Sequence, residues 1–126
     1  MKYIFISLLL TLNVLNASSS EELYQKSKLF LQIKEGKKDF NYSELMDIMY
    51  VKGMYTASLE VIQFYQIYDP RNKENYSPVL CLFDVTPYLL AKTLISEVDK
   101  NPLLLKEEIG SVLITDILFN KFRCNK

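Results

Sequence analysis

Apolar side chains recur three and four residues apart along most of this chain, and the polar positions between them mark where successive helices begin and end. Ser18 and Ser19, followed by Glu21 and Glu22, offer two registers of a capping box. The helix opening there carries Leu23, Tyr24, Phe30 and Leu31 on one stripe and stops near Gly36. After the polar turn Lys37-Lys38-Asp39, Asn41-x-x-Glu44 opens a longer helix that can run to Tyr68, before Asp69-Pro70. Gly53 and Ala57 lie four apart on that helix, so they share a face where another helix can approach closely. Gly53 costs up to about 1 kcal/mol of helix propensity, and close packing or a kink would account for it.

Thr86-Pro87 reads as a cap followed by proline in the first turn. Residues 87–100 then set Leu90, Ala91, Leu94, Ile95 and Val98 against Lys92, Thr93, Ser96, Glu97 and Lys100. Asn101-Pro102 ends that helix and starts another, expected over 102–121, with apolar residues on both sides. Gly110 marks a local weakness in it or a close-packing point. The pattern predicts an all-α domain, a small bundle of about four main helices.

The first residues follow a different order. Met1-Lys2 is basic, Tyr3–Leu15 is largely apolar, and Ala17-Ser18-Ser19-Ser20 is small and polar. That is the sequence of regions in a secretory signal peptide, with cleavage expected after Ala17 or after Ser19. The apolar stretch is shorter than the roughly 20 residues that span a bilayer, and no cysteine lies near it to take a lipid. Residues 1–19 are thus expected to be the signal segment and 20–126 one mature domain, exported to the periplasm without stable membrane insertion. Removing residues 1–17 takes away one lysine and no acid, so that the remaining 109 residues carry a net charge of −1.

Export gives the two cysteines a meaning. An even count in an oxidising compartment reads as a disulfide, whereas a redox pair would favour Cys-x-x-Cys and a zinc site needs about four ligands. Helices of 14 and 20 residues folded back on each other, with Leu82–Thr86 extended to make up the difference in length, bring Cys81 and Cys124 to one end. The disulfide then closes the C-terminal helical hairpin.

Between Asp69 and Pro78 the chain turns polar and is expected to form an exposed loop, flanked by Phe64, Tyr65, Tyr68 and Tyr76. Tyrosines beside mixed charges suit a recognition surface, or they cap the core edge with their hydroxyls in water. Tyr65, Tyr68, Asp69, Arg71, Lys73 and Tyr76 are the candidate partner-binding residues.

Composition narrows the chemistry further. The chain has 126 residues, 49% of them hydrophobic, with 15 basic and 15 acidic side chains and no histidine. Balanced charge disfavours nucleic-acid binding. Without histidine there is no His-dependent triad, no HExxH site and no imidazole acid–base step. A serine–lysine arrangement is the one nucleophilic pairing the composition leaves open. Glu21-Glu22 and Glu107-Glu108 fall in helical first turns, where they complement the helix dipole. No catalytic residue, metal site or cofactor site is expected.

One arrangement is more specific. Cys81-x-x-Asp84-Val85-Thr86 precedes a helix, then come Asn101-Pro102, another helix and Phe122-x-Cys124, with Tyr50-Val51-x-Gly53-Met54 upstream. Over about residues 43–124 this resembles the Rap/Tai family of bacterial immunity proteins, which protect against type VI secretion amidases. The resemblance implies a small helical periplasmic protein, often a homodimer, that binds a cell-wall amidase toxin and blocks its substrate groove. In this frame Gly53, Thr86, Pro87, Asn101 and Pro102 are structural positions. The alternative is a periplasmic helical binding or chaperone-like protein without a toxin partner.

Overall fold

The computed structural model describes residues 18–68, 80–106 and 108–124. Four α-helices follow one another: α1 (Ser20–Lys34), α2 (Tyr42–Tyr68), α3 (Pro87–Lys100) and α4 (Gly110–Lys121), with a five-residue 3-10 turn at Pro102–Lys106. The all-α bundle expected from the apolar periodicity is what forms. Residues 1–17, which hold most of the expected signal segment, lie outside the described residues, as do Asp69, Arg71, Lys73, Tyr76 and Glu107.

Local chemistry sets the helix ends. Ser19 caps α1, its Oγ accepting the Glu22 N–H at 3.1 Å. The Glu22 carboxylate turns to Lys26, so only half of the capping box forms. At the other end Gly36 adopts φ +92°. The Gly36 N–H donates to the Ile33 carbonyl at 3.3 Å and the Lys37 N–H to Gln32 at 3.0 Å. This pair of bonds is the glycine-dependent helix stop, because an L side chain resists positive φ. At the start of α2 the box is complete, with Asn41 Oδ1 accepting from the Glu44 N–H and Glu44 Oε2 accepting from the Asn41 N–H, both at 2.9 Å. Thr86 Oγ1 accepts the Leu89 N–H at 3.1 Å, with Pro87 leading α3, and Asn101 Oδ1 accepts the Leu103 N–H at 3.3 Å beyond Pro102.

Three expectations are corrected. The helix predicted over 102–121 is not continuous: the 3-10 turn ends at Lys106 and α4 begins at Gly110, so the second arm of the pair is 12 residues long. Apolar periodicity alone does not register a change from α to 3-10 pitch. Leu82–Thr86 is not extended throughout, since the Val85 N–H folds back onto the Leu82 carbonyl at 3.1 Å and makes a turn at Phe83-Asp84. Gly53 makes no close packing among the described residues, and α2 runs through it unbroken. Cys81 and Cys124 nevertheless meet as predicted and form the disulfide, with Cα atoms 5.0 Å apart. Beside it the Cys81 N–H donates to the Phe122 carbonyl at 2.8 Å, and Leu80 bridges Arg123 in antiparallel fashion.

The core gathers around α1, which packs against each of the other three helices. Leu23, Val51, Tyr55, Leu90, Leu94, Leu113, Ile114 and Leu118 are fully buried. One polar pair crosses this core: Ser27 Oγ donates to the Leu23 carbonyl at 2.6 Å, so Tyr55 must be the donor in its 2.6 Å bond to Ser27 Oγ. Burial pushes the Tyr55 hydroxyl far up from its ordinary pKa, against a weaker opposing effect of the Ser27 bond.

Two surface carboxylates tie elements together. Glu97 of α3 meets Lys121 of α4 at 2.6 Å and Lys100 at 3.0 Å, and these bonds, Lys121 first, hold its carboxyl below the ordinary value of 4.5. The Asn41 N–H and, secondarily, Lys37 do the same for Glu44. Both carboxyls are lowered in the folded state, so their stabilisation is complete above pH 4.5 and is lost as pH falls through the lower folded values. Without histidine, no side chain of ordinary pKa changes charge between about pH 5 and 8. The unfolding temperature, followed by circular dichroism, is expected to stay flat from about pH 6 to 8 and to drop modestly below about pH 4.5. A rise in that temperature on acidification would contradict the assignment.

Candidate interaction surface

The long helix α2 has apolar residues on every side, with Lys52, Thr56 and Glu60 interspersed among those of its outer face. Its inner face buries Ile48, Val51, Tyr55 and Leu59, yet its outer face carries Tyr42, Met46, Met49, Val61, Phe64 and Tyr68 in the open. Helices with apolar residues on every side are normally covered on every side, and contiguous exposed apolar surface of this kind marks an interaction site. Met49 is 67% exposed. At the middle of the outer face stand Gly53 and the exposed Ala57, and a Cβ built on Gly53 would meet no atom within 4 Å. Among the described residues nothing makes the predicted close approach at Gly53 and Ala57, and the position is open to another molecule.

Toward its C-terminal end the stripe becomes aromatic. Phe64 and Tyr68 pair with ring centroids 4.4 Å apart and planes tilted by 35°. Tyr65 is 71% exposed beside them. Of the predicted partner-binding residues, Tyr65 and Tyr68 are thus both surface-exposed on α2. Capping of a core edge, the other role open to them, is not what they do.

Two glutamines on the flank of the same helix end fasten the segment that follows the loop. Gln66 accepts the Leu80 N–H at 2.7 Å and donates to the Leu80 carbonyl at 3.3 Å, while Gln63 donates to the Leu82 carbonyl at 3.1 Å. From the turn so anchored projects Phe83, 87% exposed and the most open large apolar side chain among the described residues. Sequence reasoning missed Phe83, Gln63 and Gln66. A phenylalanine between Leu82 and Asp84 gives no local sign of which way it points, and the glutamine clamp joins residues 14 and 19 apart. Met46, Met49 and Val61 were also missed, although the lack of any polar face on a 27-residue helix was a signal for them.

Among the described residues no group of three or more His, Cys, Asp or Glu side chains converges as a metal site, and both cysteines are in the disulfide. Lys26 bridges Glu22 and Asp47, at 2.5 and 3.1 Å, as a surface ion-pair network between α1 and α2. No helix among the described residues is long and apolar enough to cross a membrane. Comparison with protein-family models, curated proteins and solved structures gives no match to this chain.

Proposed function

We propose that this chain is an exported immunity protein of the Rap/Tai type, which binds a peptidoglycan amidase of the type VI secretion pathway and occludes its active-site groove. The observation that carries the reading is the outer face of α2, an apolar stripe ending in the Phe64–Tyr68 aromatic pair. Aromatic anchors are what a protein interface uses for its central contacts, and blocking a groove requires no catalytic group. The disulfide suits an oxidising compartment, in keeping with export to the periplasm. The choice of family rests on the resemblance of residues 43–124 to its pattern, from Tyr50-Val51-x-Gly53 to Phe122-x-Cys124.

The decisive experiment is a pull-down from periplasmic extract with the disulfide-bonded domain as bait. Recovery of a cysteine amidase, together with protection of cells that express that amidase, is the expected result. If the domain neither captures nor protects against an amidase produced from a neighbouring gene, the proposal fails. Replacing Phe64, Tyr68 and Phe83 together by alanine is expected to weaken the complex at least 100-fold, as loss of aromatic anchors does. Binding by calorimetry checks it, with circular dichroism confirming an unchanged fold.

The middle of the stripe has room for a second copy of the chain. Helices crossing at Gly53 and Ala57 would set Met46 and Met49 of one copy near Phe64 and Val61 of the other, in the self-complementary manner of a two-fold interface. Light scattering is expected to give twice the monomer mass, and Gly53→Leu to return the protein to a monomer without loss of helicity. A monomer at about 100 μM would remove the dimer from the proposal.

The exposed methionines favour one other reading. Flexible thioethers suit surfaces that accept many partners, as in a chaperone-like protein of the periplasm. Suppression of aggregation for unrelated unfolded clients, with no saturable partner, would select it over the immunity role.

A further inference from the structure

The start of α4 lacks a side-chain cap, since the residue before it is Ile109. A helix start leaves its first N–H groups without intrahelical acceptors. The first of them, on Gly110, is met from the far end of the chain: it donates to the Ser18 carbonyl at 2.7 Å. Both residues are buried, Ser18 at 4% exposure. The fit depends on glycine. A Cβ on Gly110 would stand 3.0 Å from the Ser18 oxygen and 3.1 and 3.2 Å from Leu23 Cδ2 and Cβ.

Ser19 serves the neighbouring helix in the same way. Its Oγ accepts the Glu22 N–H and its carbonyl accepts the Leu23 N–H at 2.9 Å, closing the first turn of α1. Ser18 and Ser19 therefore cap two helices that are remote in sequence and adjacent in the fold. The two cleavage positions compatible with the sequence then have different consequences. Cleavage after Ser19 would discard both caps and leave the buried Gly110 N–H without an acceptor. Cleavage after Ala17 keeps both caps.

We propose that the export machinery hydrolyses the Ala17–Ser18 bond and that Ser18-Ser19 is a working part of the mature fold, a clasp between α1 and α4. Water adds across that peptide bond, leaving a carboxylate on Ala17 and an amine on Ser18, and the step occurs on the translocating chain before Ser18 is buried. The inference rests on the export reading, and one measurement separates the two. The full 126-residue chain is expressed in a secreting bacterial host, and the exported product is characterised by intact mass and N-terminal sequencing. A chain beginning at Ser18 is the expected result. A chain beginning at Ser20 overturns the clasp while leaving export intact, whereas an uncleaved chain beginning at Met1 overturns both. Oxidised chains prepared to begin at Ser18 and at Ser20 complete the test. The shorter one is expected to unfold at least about 5 °C lower, as loss of helix caps in a domain of this size implies. Equal unfolding temperatures would refute a structural role for the dipeptide.

Discussion

Replacing Cys81 and Cys124 together by serine is expected to lower the unfolding free energy by about 4 kcal/mol, the loop-closure value for a cross-link spanning this much chain. The two cysteines are 43 residues apart in sequence, and the segment they close contains both α3 and α4. The bridge is also where the Leu80–Arg123 pairing and the Cys81-to-Phe122 hydrogen bond are made. These contacts join chain ends that would otherwise be free to separate. For a domain whose total stability falls in the usual range of about 5–15 kcal/mol, such a loss brings the fold close to its limit. Urea unfolding of the double variant, and of the natural chain with and without reductant, measures the effect. Curves that superimpose would show that the cross-link contributes nothing.

Substitutions at the Ser27–Tyr55 pair are expected to be unequal. Ser27→Ala removes the acceptor and leaves a buried Tyr55 O–H with no partner, which costs about 1–3 kcal/mol. Tyr55→Phe removes the donor but leaves Ser27 Oγ still bonded to the Leu23 carbonyl, so it should cost less. The double variant should recover part of the Ser27→Ala loss, because no orphaned donor remains. Tyr55→Ala is the severe case, about 3–5 kcal/mol, since it empties a fully buried aromatic position at the junction of α1 and α2. Denaturant midpoints of the four proteins check the order. If Tyr55→Phe proved costlier than Ser27→Ala, the direction of the hydrogen bond would be wrong.

Much of the fold was legible because its boundaries are set by local chemistry. Ser19, Asn41, Thr86-Pro87 and Gly36 act within a few residues of themselves, and each stops or starts a helix where its residue type requires. The disulfide was legible because two cysteines behind a sequence that reads as an export signal leave few alternatives. What escaped the sequence is tertiary. Gly110 was open between weakness and close packing until the Ser18 carbonyl appeared against it. The break before α4 has no glycine or proline within residues 103–109 to announce it, and it falls where the Gly110 N–H meets the Ser18 carbonyl. At the candidate surface, Tyr65 and Tyr68 could be named because a polar stretch of sequence follows them. Phe83 could not, since its exposure depends on Gln63 and Gln66 holding the turn from another helix.

The inner face of α2 is held in two different ways along its length. From Ile48 to Leu59 it is fixed by buried apolar side chains, whereas beyond Leu59 the partly buried Ile62 and the glutamine hydrogen bonds to residues 80–82 hold it. The second half of the helix contributes fewer buried apolar side chains than the first, so the free energy of local unfolding is expected to fall toward Tyr68. The aromatic cluster sits at that less costly end. A partner gripping Phe64 and Tyr68 would raise the protection of the last turns of α2 against amide exchange while leaving the first turns as they are, so part of the binding energy would be spent on ordering a helix end.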